Sequence, residues 1–188
     1  MKEIISIFKK SAEIKVAFAE ENAAQIEHVV GVIVNSLHAG GKILLFGNGG
    51  SAADAQHIAA EFVNRYLLNR EPLAALALTT DTSILTSISN DLSFDEVFSR
   101  QIAALGNRGD ISWGITTSGM SQNIIRAFEV SRELGLTTIG FTGKEGGTVA
   151  SLVDYNFNVN VDSTPRIQET HITLAHVICE LVEKRMKT

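Results

Sequence analysis

The chain has 188 residues, 45% of them hydrophobic and 20% charged. That suffices for one compact domain with a sizeable core and is too apolar for a disordered polypeptide. Its 16 Lys and Arg against 21 Asp and Glu leave a formal net charge of −5, so no basic excess exists to displace the counterions of a nucleic acid. An anionic small molecule stays open as a ligand if its charge is met locally. The single cysteine, Cys179, has no internal disulfide partner and fits a reducing compartment. The first apolar stretch is broken by Ser6 and closed by Lys9 and Lys10, too short for a signal-peptide core, and no apolar run has bilayer length. The expectation is a cytoplasmic protein.

Residues 2–38 place Ile4, Ile7, Phe8, Ile14, Phe18, Ile26, Val29, Val30, Ile33 and Leu37 at roughly helical spacing, and Gly40-Gly41 ends the pattern. The apolar run 42–46 then reads as a strand leading into a glycine-rich turn. A helix is expected over 52–68 and a strand over 73–78. A polar segment carrying Asn90 and Asp91 follows, then a helix over 94–105. Residues 110–115 form a strand that enters Thr116-Thr-Ser-Gly119, with a helix over 121–134. Strands at 137–141 and 154–161 and a closing helix over 165–186 complete the chain. Pro165 suits the first turn of that helix, where its missing N–H costs nothing.

Strands separated by helices imply crossover connections and a parallel sheet. The expected fold is α/β, a doubly wound, flavodoxin-like five-stranded parallel sheet. One domain spans 1–188, with residues 1–40 as an N-terminal helical extension. In such sheets ligands sit beyond the carboxyl ends of the strands, and two loops there can carry chemistry. Gly47-Asn-Gly-Gly-Ser51 joins a strand to a helix, and its glycines allow close backbone approach to an anion at the helix start. It is neither G-x-G-x-x-G nor a P-loop. Thr116-Thr-Ser-Gly-Met-Ser121 offers hydroxyls and a following helix N-terminus, which suit a phosphate monoester. Each loop can also be read as structure alone, a tight turn or a capped helix start.

His57 and Glu61 are four residues apart and share a helix face. Gln168 and His176 are eight apart, about 80° around the axis, and can lean toward one cleft. Helix azimuth alone would nominate Glu169 in place of Gln168. Two His, a Glu and a Gln could ligate a borderline metal such as zinc. Alternatively, Glu61 and His176 form an acid–base pair of the kind that proton transfer beside a carbonyl needs. His28 and His38 take no role, Cys179 reads as a small core residue, and Trp113 and Phe141 read as core.

Gly47-Asn-Gly-Gly-Ser-Ala-Ala-Asp-Ala-Gln-His57, Glu61, Asn90-Asp91, Thr117-Ser-Gly119 and Arg166-Ile-Gln-Glu169 resemble the phosphoheptose isomerase family of the sugar-isomerase (SIS) superfamily, in order over nearly the whole chain. The resemblance implies isomerisation of sedoheptulose 7-phosphate to D-glycero-D-manno-heptose 7-phosphate, the first step toward activated heptose for lipopolysaccharide or capsule. It further implies one zinc per subunit and a homotetramer with shared active sites. Carried over residue by residue, it makes Asn48, Gly49, Gly50 and Ser51 substrate-binding, with Asn90 and Asp91 contacting the sugar. Thr116, Thr117, Ser118 and Ser121 match its phosphate loop, with Met120 a departure where relatives often carry Asn or Lys. His57, Glu61, Gln168 and His176 match its metal set, His57 and Gln168 being substrate-binding as well, while Glu61 and His176 match its acid–base residues. A similar regulator that binds the bacterial replication initiator lacks the glutamate and the last histidine, whereas this chain has both.

Overall fold

A computed structural model describes residues 1–186; Lys187 and Thr188 of the expected 1–188 domain lie outside the described residues. The elements run α1 (Lys2–His38), β1 (Ile43–Gly47), α2 (Gly50–Val63), β2 (Ala75–Ala77) and α3 (Thr82–Asp91). A 3-10 turn (Phe94–Glu96) precedes α4 (Ser99–Leu105), β3 (Ile111–Ile115) and α5 (Gln122–Glu133). The chain closes with β4 (Thr137–Gly143), α6 (Gly147–Leu152), β5 (Tyr155–Val159) and α7 (Thr164–Met186). All strand pairs are parallel, in the order β2-β1-β3-β4-β5. This is the doubly wound order expected for a flavodoxin-like sheet.

Every residue of β1 and β3 is buried, because helices cover both faces of a parallel sheet. The period of two then sorts the side chains. Ile43 and Leu45 enter one core with Val29, Ile33, Ile58, Phe62, Trp113, Phe141 and Ile178. Leu44 and Phe46 enter a second with Phe98, Ile102, Ile124 and Phe128. Helices α1, α2 and α7 therefore cover one face, and α4 and α5 the other. The crossover from β1 leads to β2 on one side, while the chain beyond β3 continues to β4 on the other. The crevice between the loops after β1 and β3 is thus the switch point, where such folds hold ligands.

Four local expectations need correction. The helix expected to reach residue 68 stops at Val63, because the N–H groups of Tyr66, Leu67 and Leu68 donate to the Glu183 carboxylate of α7 and not back along the helix. The strand expected over 73–78 is limited to Ala75–Ala77. The polar segment before residue 91 is the helix α3, started by Asp81, whose carboxylate accepts from Ile84 N at 2.9 Å. The helix expected over 94–105 is split into the 3-10 turn and α4. Helix α6 was not expected; Gly146 and Gly147 at its start both have positive φ.

Candidate active site

Two facing helices build the site. Helix α2 presents His57 and Glu61 on one face, with His57 Nε2 3.4 Å from Glu61 Oε1. Helix α7 brings His176 across the gap, its Nε2 2.9 Å from Nε2 of His57. That is hydrogen-bonding distance, and the tautomers of the two rings decide which donates. The ligand atoms of His57, Glu61 and His176 all lie within 4.8 Å of one another. Two imidazole nitrogens and a carboxylate oxygen so gathered match the donor set zinc prefers, so these residues could hold such a metal.

Gln168 lies two turns before His176 on α7, beside the glycine loop. A Cβ on Gly50 would come within 2.7 Å of Gln168 Nε2, so glycine there keeps this close approach open. Glu169, favoured by azimuth, is committed elsewhere: it accepts from Ser11 Oγ at 2.6 Å and pairs with Arg166 at 2.7 Å. Asp54 completes the acidic side of α2. Burial raises its carboxyl above the ordinary range, partly offset by His57 and His176.

The two candidate loops meet at the switch point. Asn48 Nδ2 donates to Asn123 Oδ1 and Asn123 Nδ2 to Asn48 Oδ1, each at 2.9 Å. This reciprocal pair fixes the loop after β1 to the start of α5. Ser51 is buried in the first turn of α2. In the second loop, Thr116 Oγ1 accepts from Gly119 N at 3.2 Å and Ser118 Oγ from Met120 N at 3.2 Å. Ser121 is the N-cap of α5, yet among the described residues its hydroxyl makes no capping bond, which leaves Oγ available to a ligand. Gly119 has φ 65°, and a Cβ there would collide with Gly146 O, so α6 backs this loop.

Asn90 and Asp91 stand apart from this arrangement. They end α3, are exposed, and hydrogen-bond to each other at 2.7 Å. Thr117 and Ser118 are half-buried, while Gly49 and Gly50 are exposed. Trp113 and Phe141 are core, as expected. Burial pushes the Cys179 thiol up to about 12, which leaves it an inert core group.

Three participants had no sequence signal. Asn123 is one. Tyr66 is another: its ring stacks on His176 with centroids 5.5 Å apart and planes 25° from parallel. The third is the buried pair Arg70–Glu183, at 3.1 Å. Burial alone would raise the Glu183 carboxyl, but the N–H groups of Tyr66, Leu67 and Leu68 together with Arg70 outweigh it and hold it below the usual range.

A family model for the SIS domain matches residues 7–143. The phosphoheptose isomerase of Aquifex aeolicus is 56% identical over 98% of this chain and 96% of its own. The chain belongs to the phosphoheptose isomerases of the SIS-domain family. A solved phosphoheptose isomerase from Neisseria gonorrhoeae superposes with a TM-score of 0.91 at 41% identity, covering 97% of this chain and 98% of its own. The one from Francisella tularensis gives 0.93 at 35% identity, covering 97% of each. The cluster on α2 and α7 is therefore the candidate active site of an isomerase.

Proposed function

We propose that this isomerase interconverts sedoheptulose 7-phosphate and D-glycero-D-manno-heptose 7-phosphate through an enediol, supplying activated heptose for lipopolysaccharide or capsule. The observation that carries the reading is the convergence of Glu61, His57 and His176 from two helices, α2 and α7, beside the glycine loop. Ser51, Thr116, Thr117, Ser118 and Ser121, with adjacent backbone N–H groups, hold the phosphate. Asn48, Gly49 and Gly50 line the sugar, and Gln168 and His57 reach it from α7 and α2. Binding the remote phosphate orients C1 and C2 against the base.

In the direction from ketose to aldose, Glu61 takes the C1 proton and His176 gives a proton to the C2 oxygen, forming the enediol. His176 then takes the proton from the C1 oxygen as Glu61 returns its own to C2, leaving an aldehyde at C1. Atoms balance with no external reductant or oxidant. His57, Glu61, Gln168 and His176 would hold zinc, which supplies a Lewis acid for the substrate oxygens when bound.

The enzyme is proposed to be a cytoplasmic homotetramer with shared active sites. No helix among the described residues is long and apolar enough to cross a membrane. Ile4, Ile5, Ile7 and Phe8 are all exposed on the first two turns of α1, Phe8 at 72%, an apolar surface that suits burial against another subunit. The exposure of Asn90 and Asp91 at the end of α3 supports a site shared between subunits, with these residues contacting a neighbour's sugar. The test is NMR of the purified protein with sedoheptulose 7-phosphate, untreated, after chelator, and after added zinc. The aldose phosphate is expected to form, and chelation is expected to slow it. Binding without conversion in every arm would overturn the reading.

A further inference from the structure

Glu183 lies seven residues beyond His176, on the same face of α7. It is 1% exposed, and its carboxylate is saturated. Oε1 accepts from Tyr66 N at 2.9 Å and Arg70 Nε at 3.1 Å, and Oε2 accepts from Leu67 N and Leu68 N at 2.7 Å each. The rest of the Arg70 guanidinium reaches back to α2. Nη1 donates to Phe62 O at 2.9 Å, and Nη2 donates to Glu61 O at 2.7 Å. Those carbonyls belong to the last turn of α2, where no intrahelical N–H remains to take them. Only a planar fork of several donors serves both ends at once, so lysine could not replace Arg70.

A buried ion pair is weak evidence for stability, since well-packed apolar residues often do as well. The location of this one points to positioning. It grips the backbone of Glu61 itself, and it folds residues 66–68 so that the Tyr66 ring lies on His176. We propose that Glu183 and Arg70 form a clamp that sets the spacing of α2 and α7 and, through Tyr66, holds the His176 ring in its reactive orientation. The inference rests on the reading of Glu61 and His176 as the acid–base pair. Tyr66, Arg70 and Glu183 are positioning residues in it.

The test uses the full chain, metal-free and labelled in its histidine rings. NMR then reads the ring-current displacement of the His176 protons, and steady-state kinetics are measured beside it. Tyr66→Leu removes the ring and leaves the ion pair intact. It is expected to move the His176 protons downfield and to lower kcat about tenfold with KM within about twofold, as a misplaced reacting group does. Tyr66→Phe, which keeps the stacked ring, should restore both. Glu183→Gln should reproduce the Tyr66→Leu pattern in molecules shown by circular dichroism to be folded.

If Glu183→Gln lowers only the unfolding temperature, with kcat and the His176 signal unchanged, the pair is structural and the clamp is wrong. If that variant does not fold, the tyrosine pair decides: an unchanged signal and kcat in Tyr66→Leu overturn the proposal. Full turnover in His176→Gln would instead remove the acid–base reading, while the histidine signals would still report whether the ring is held.

Discussion

Asn48 and Asn123 exchange two amide hydrogen bonds of 2.9 Å across the switch point of the sheet. Each satisfies a donor and an acceptor of the other, so the glycine loop after β1 and the first turn of α5 are held in one register. That register sets where the two candidate anion-binding loops face each other. Asn123→Ala leaves the half-buried Asn48 amide without its partner, at a cost of about 1–3 kcal/mol. It is expected to raise KM about tenfold, since the loops then must be ordered by substrate. Thermal unfolding and steady-state kinetics check both parts, and an unchanged KM would separate the pair from substrate binding.

Glu61→Gln and His176→Gln should each lower turnover by on the order of 10² or more while the fold survives. Both residues are partly accessible, so neither substitution leaves a large cavity. Circular dichroism and kinetics of the two variants test this; wild-type turnover in either one removes that residue from proton transfer.

Ser121→Ala should act on binding alone. The Ser121 hydroxyl makes no capping bond to α5, so its loss should change stability by less than about 0.5 kcal/mol. The expected result is a raised KM with a nearly constant unfolding temperature. A lower unfolding temperature with constant KM would mean that the hydroxyl serves the helix.

His171 predicts an acid-labile core. It is buried, its Nε2 donates to Thr142 O at 2.8 Å, and Nδ1 has no partner among the described residues. Burial lowers it from 6.5 to about 4 despite the bond to Thr142. The unfolded chain therefore binds a proton below pH 6.5 that the folded chain refuses until about pH 4. Stability should fall as pH drops through that window, by up to about 3 kcal/mol at 1.36 kcal/mol per unit. Denaturant melts of wild type and His171→Gln between pH 7 and 4 should converge on the acid side if this holds. Parallel curves would assign the acid loss to other groups.

The sequence carried the sheet because β1 and β3 are short apolar runs with both faces covered, each entering a glycine or hydroxyl loop. His57 and Glu61 were legible because a helical step of four is local. Gln168 and His176 were legible as a pair on α7, but choosing Gln168 over Glu169 needed family resemblance, since azimuth favours Glu169. The structure shows that Glu169 is taken by Ser11 and Arg166, from another helix and another turn. The early end of α2 was hidden for the same kind of reason: residues 66–68 give their N–H groups to Glu183, more than 110 positions away. Asn123, Tyr66 and Arg70 likewise take their meaning from tertiary partners that no local period reveals.

The most direct measurement is proton NMR of sedoheptulose 7-phosphate turned over in deuterium oxide by the wild-type enzyme and by Glu61→Gln. The account predicts that the wild type forms the aldose phosphate, with deuterium at C2 only in the fraction of turnovers in which the proton held by Glu61 exchanges with solvent before its return, and that Glu61→Gln leaves the ketose unchanged over the same time. Aldose formed at comparable rates by both proteins, or ketose bound but unconverted by the wild type with and without zinc, would contradict it.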